Sequence, residues 1–118
     1  MKFDESLVEK VKVCLEGRCT NLGAYTKYYV FTEKGEFIEP ALTEESRTGN
    51  HWTDIYFLSP GTYYIYFVDI TNCGKHNCGF GVIKVSKEKA EIVHHAKIPR
   101  KIVKKMKEVI EFCECTRV

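Results

Sequence analysis

The segment from Thr62 to Thr71 (TYYIYFVDIT) constrains this chain more than any other. Tyr64, Tyr66, Val68 and Ile70 alternate with Tyr63, Ile65 and Phe67, so a strand here is apolar on both faces. Neither face can be left in water, and both need a covering layer. The C-terminal region supplies one. Pro99 suits a first helical position, and Ile98, Ile102, Val103, Met106, Val109, Ile110 and Cys113 recur at helical spacing as one apolar stripe. The other cover is expected to come from further strands.

Those strands are legible at intervals. Tyr25 to Thr32 (YTKYYVFT) is aromatic and β-branched. Lys34-Gly35 turns it into Glu36 to Leu42, which Pro40 interrupts as it would an edge strand. Trp52 to Leu58 is a further strand. It is followed by Ser59-Pro60-Gly61-Thr62, where Pro then Gly suits a type II turn. Val82 onward returns from a turn-rich tip at Asn72 to Gly81, and Ala90 to Val93 adds a short strand. Thr43 to Asn50 (TEESRTGN) is polar and reads as a loop. Leu7 to Leu15 fits either a strand or a capped helix; its three valines and the Glu16-Gly17 turn signal favour a strand entering a hairpin.

With 118 residues the chain is one domain. The expected fold is mainly β (α+β): a β-rich core over residues 7–93 and a C-terminal amphipathic helix over 98–115, packed on a sheet face. The core is expected to be an immunoglobulin-like antiparallel β-sandwich or a two-layer sheet. No apolar run approaches the ~20 residues that span a bilayer, and acids at Asp4 and Glu5 break the stretch a signal peptide needs. No membrane association and a cytoplasmic location are expected. There is no Gln, while Lys, Glu, Val, Ile and Tyr abound, a hyperthermophile-like bias. Intracellular disulfides are an accepted feature of such proteins.

Leu58-Ser59-Pro60-Gly61-Thr62-Tyr63-Tyr64 resembles the L-x-P-G-T-x-Y signature of fibronectin type III domains. The resemblance implies a tyrosine corner at Tyr64, with Trp52 to Leu58, Thr62 to Thr71 and Val82 to Ser86 as strands E, F and G of an immunoglobulin-like sandwich. It also implies that the loop between the last two strands is a contact loop. The tight Glu16-Gly17 hairpin, the lack of an early Trp and the C-terminal helix depart from the family pattern.

Six cysteines fall as Cys14/Cys19, Cys73/Cys78 and Cys113/Cys115. The first two pairs share a C-x4-C spacing around turn-forming residues. With a two-residue turn at each centre, the cysteines would form a non-hydrogen-bonded pair at ~4.5 Å, the short end of disulfide range. Two cross-hairpin disulfides are the leading expectation. A zinc site from Cys14, Cys19, Cys73 and Cys78, with His76 able to replace one ligand, is the alternative, although structural zinc favours C-x2-C. Ordinary half-buried thiols are the third possibility. Cys113 and Cys115 point apart on a helix.

Ile92 to Lys107 carries six basic residues (Lys97, Arg100, Lys101, Lys104, Lys105, Lys107), His94 and His95, and no acid. A solvated helix face accounts for this pattern; an anion-facing patch for nucleic acid or an acidic protein partner is the functional alternative. No catalytic signature is present. His51 and Asp54 would face opposite ways on a strand, and the tyrosines fit packing better than chemistry. The expected function is therefore non-enzymatic binding of a protein partner, without a cofactor. The expected site is a cysteine-clasped tip presenting Gly74, Lys75, His76 and Asn77, pre-ordered so that little entropy is lost on contact. Nucleic-acid binding through the basic segment and a zinc-stabilised module are the alternatives, and the oligomeric state is open.

Overall fold

A computed structural model of the chain describes residues 10–18, 25–47, 51–70 and 76–109. Eight strands and one helix follow in order: β1 (Val11–Arg18), β2 (Tyr25–Thr32), β3 (Phe37–Ile38), β4 (Leu42–Glu45), β5 (His51–Leu58), β6 (Gly61–Ile70), β7 (His76–Val85), β8 (Ala90–Val93) and α1 (Arg100–Val109). All strand pairs are antiparallel, in a three-stranded sheet ordered β1-β5-β4 and a five-stranded sheet ordered β3-β2-β6-β7-β8. No helix among the described residues is long and apolar enough to cross a membrane.

The alternation in β6 makes the larger sheet a middle layer. Ile65 and Phe67 point toward the smaller sheet, where they join Val13 and Leu15 of β1, Tyr56 and Leu58 of β5, Val30 of β2, and Ile83 and Val85 of β7. Tyr66 and Val68 point the other way, with Phe31, onto Ile102 and Met106 of α1. Both faces of β6 are covered, as its sequence requires.

The helix owes its place to this packing and not to its ends. Its first turn has no acid, and Arg100 and Lys101 oppose the macrodipole there. Pro99 stands just outside, its carbonyl accepting from the amides of Ile102 and Val103. The buried stripe is narrower than its sequence suggests: Ile102 and Met106 are buried, whereas Val109 is half exposed.

Three local expectations are corrected. First, Glu16-Gly17 is not a turn: β1 runs straight through it, pairing with β5 as far as Arg18 opposite His51. Gly17 instead gives room to its cross-strand partner Trp52, whose indole occupies the space a Cβ would need. Second, Thr43 to Glu45 belongs to β4 and not to a loop. All four residues of this strand are exposed, and polar side chains suit a strand at the edge of its sheet. Third, the tip is shorter than Asn72 to Gly81. β7 starts at His76 opposite Ile70, so His76 and Asn77 are strand residues, while Gly74 and Lys75 lie outside the described residues.

Other turns behave as their residues dictate. Gly35 takes φ +88° in the β2–β3 turn, closed by the Gly35 amide donating to the Thr32 carbonyl at 2.9 Å. The chain crosses between sheets at Ser59-Pro60. Gly61, at φ +154°, opens β6 directly, in place of the about +80° of a type II turn.

Candidate functional site

β3 ends after two residues because Glu39-Pro40 carries the chain over to the other sheet, and proline has no N–H to continue a ladder. Beyond that break a cleft of 420 Å³ curls round the flank of β2. Its walls are Lys27, Tyr28 and Tyr29 of β2, Phe37 of β3, Glu39 and Pro40 of the crossover, and Asp54 and Tyr56 of β5. Two sheets thus contribute to one hollow, within the ~300–1,000 Å³ range of ligand pockets.

Its polar groups are graded by depth. Lys27 and Glu39 are exposed at the rim, and the Lys27 ammonium lies 5.1 Å from the centre of the Tyr29 ring, a cation–π distance. Asp54 is half-buried and held in place by its register partner: the Thr43 hydroxyl donates to its Oδ1 at 2.7 Å. Tyr56 is only 2% exposed. Burial, and secondarily the Asp54 charge, hold its phenol far above the usual value, so it stays neutral. Its hydroxyl makes no hydrogen bond among the described residues.

The histidines lie apart from this cleft. His51 sits on the outer face of the smaller sheet with its Nε2 3.7 Å from Glu16 Oε2, away from Asp54, as the strand alternation requires. His94 and His95 press edge-on against Phe67 with ring centroids 5.4 and 5.3 Å away, and His95 adopts φ +60°.

Two of the six cysteines, Cys14 and Cys78, lie among the described residues, and they differ. Cys14 is a free, exposed thiol on β1. β1 runs on past it to Arg18, so no two-residue turn sits at Glu16-Gly17. Cys78 lies opposite Val68 and packs on the helix-covered face. Cys78 is disulfide-bonded. Cys14 and Cys78 therefore occupy opposite outer faces of the sandwich, and no group of three metal-ligating side chains forms among the described residues. Cys19, Cys73, Cys113 and Cys115 lie outside them.

The basic residues are distributed by the helix. Lys97, Arg100, Lys101, Lys104, Lys105 and Lys107 are all exposed. Lys101 and Lys105 join Glu33 and Lys34 of the β2–β3 turn around a 320 Å³ hollow floored by Ile102. The hydroxyl bond back to upstream backbone, expected of Tyr64, is made by Tyr63, which donates to the Ser59 carbonyl at 2.7 Å. Tyr64 points to the opposite, helix-covered face. No protein family, curated protein or solved structure matches the chain.

The sequence reading missed the aromatic cleft because each of its tyrosines has an ordinary packing explanation. The available signal was Glu39-Pro40, which forces a change of sheet beside the tyrosine-rich β2.

Proposed function

We propose that the protein is a non-enzymatic binding domain that seats a segment of a protein partner in the cleft between β2, the Glu39-Pro40 crossover and β5. The carrying observation is the set of four aromatic residues (Tyr28, Tyr29, Phe37 and Tyr56) grouped around an open hollow, with polar groups at graded depth. Aromatic anchors with a polar tip are the side chains that dominate protein contacts, and here they stand on strands, which hold a site more firmly than loops do.

The strand order supports an immunoglobulin-like reading. β1-β5-β4 facing β3-β2-β6-β7 corresponds to B-E-D facing C′-C-F-G in such sandwiches. Fold alone assigns no partner, so the proposal rests on the cleft. A cysteine-stiffened β6–β7 tip remains a second contact element of the same reading.

Selection from a displayed peptide library tests it. Sequences enriched on the wild-type protein are expected to lose binding on Phe37→Asp and to keep it on Lys101→Glu. Peptides that bind both variants equally would place the contact surface elsewhere.

Nucleic-acid binding is the second reading, favoured by the way Lys34 joins Lys101 and Lys105. It predicts oligonucleotide affinity that falls steeply between about 50 and 200 mM salt as counterions are released. Phe31 and Tyr66 beneath α1 are buried and closed to base stacking.

A further inference from the structure

We infer that the cleft selects a peptide bearing a cationic side chain, lysine or arginine, whose alkyl stem lies against the aromatic wall and whose charge reaches Asp54. The inference rests on the binding reading above and adds the chemistry of the ligand.

Three observations converge. The cleft holds two carboxylates, Glu39 and Asp54, against one ammonium, Lys27, so its own charge is negative. The ammonium does not reach into the hollow to cancel Asp54 but rests on the Tyr29 ring. This shows that the aromatic wall accepts a cation of this kind, as ring quadrupoles do.

Depth supplies the second argument. Asp54 lies further in than the exposed Glu39, and its Oδ1 is engaged by a neutral donor, the Thr43 hydroxyl. A carboxylate fixed in partly dehydrated surroundings gains most from a charged donor. An unbranched, mostly apolar stem with a charge at its end matches a cleft that sets an aromatic wall beside an acid.

The third is Tyr56. A buried phenol opening on the cleft without a hydrogen-bond partner among the described residues leaves a donor and acceptor that a ligand can satisfy. Its oxygen can accept from an ammonium or guanidinium group while Asp54 balances the charge.

The experiment uses the full chain and three capped pentapeptides with central lysine, norleucine or glutamate flanked by threonine and glycine. Binding is followed by shifts of the backbone amide resonances of β2 and β5. The lysine peptide is expected to bind about ten-fold more tightly than the norleucine peptide, a cation–π contact and a partly shielded ion pair together. Asp54→Asn, which retains an oxygen for Thr43, should reduce that preference to about two-fold or less, and Glu39→Gln should reduce it partially. Lysine and norleucine peptides that bind equally at the cleft would overturn the charge selection and leave the binding reading standing. If no peptide perturbs β2 or β5, both fail.

Discussion

Replacing Gly17 by alanine tests the least expected feature of the smaller sheet. Gly17 is buried near the end of a paired strand, directly opposite Trp52, and a Cβ there would overlap the indole. Two effects compete. Alanine removes backbone entropy from the unfolded chain and by itself stabilises a strand by ~0.5–1 kcal/mol. Forcing the indole off its seat costs ~1–3 kcal/mol, the usual toll of overpacking. The net expectation is a loss of about 0.5–2 kcal/mol, or roughly 2–8 °C in melting temperature for a domain of this size. Trp52 is the chain's single tryptophan, so its fluorescence reports the displaced ring directly, as a change in emission maximum. A double-mutant cycle separates the terms. In a Trp52→Val background the clash is gone, and Gly17→Ala should turn stabilising, read by circular dichroism. If Gly17→Ala leaves both emission and stability unchanged, or costs the same in both backgrounds, the glycine is not there to seat the indole.

Four further outcomes follow from the packing and the hydroxyl bonds. Tyr63→Phe removes the bond to the Ser59 carbonyl and should cost ~1 kcal/mol in denaturant unfolding, whereas Tyr64→Phe, which loses no such corner bond, should cost less. Burial raises the phenol pKa of Tyr56 strongly, and that of Tyr63, above the ordinary value of 10.0. The stability these neutral phenols contribute is complete below pH 10 and is lost as pH rises from there through their folded values, because the unfolded chain ionises first; Tyr56→Phe should flatten that alkaline decline in melting temperature. Met106→Ala empties a fully buried position between α1 and the larger sheet and should cost ~2–5 kcal/mol by calorimetry. Brief maleimide treatment of the native, unreduced protein should label Cys14 and spare Cys78, read by peptide mass.

The sandwich itself was readable because period-two alternation survives in β2, β5 and β6, and because a strand apolar on both sides dictates three layers. Ile102 and Met106 were readable as the inner face of a helix for the same geometric reason. The failures share a cause. Gly17 carries the residue preference of a turn, yet its backbone is extended, and only a partner far along the chain reveals that a missing side chain was the point. Thr43 to Glu45 looks like a loop because a solvent-washed edge strand and a loop select the same polar residues. Tyr63 and Tyr64 are chemically equal candidates for one corner bond, and the choice depends on which face of β6 the preceding crossover leaves nearest Ser59. The cleft was the least visible of all. It depends on Asp54 and Tyr56 meeting β2 across the gap between sheets, a relation that no local pattern encodes.

The position of the larger sheet as a middle layer has a consequence for how the molecule behaves in a crowded solution. Should α1 peel away, Phe31, Tyr66 and Val68 would be bared together as a flat, sticky wall that invites a neighbouring chain to settle on it. A helix with adverse charges at its start and few inward anchors is thus a solubility guard, and weakening it should first be felt as clumping before any partner is lost.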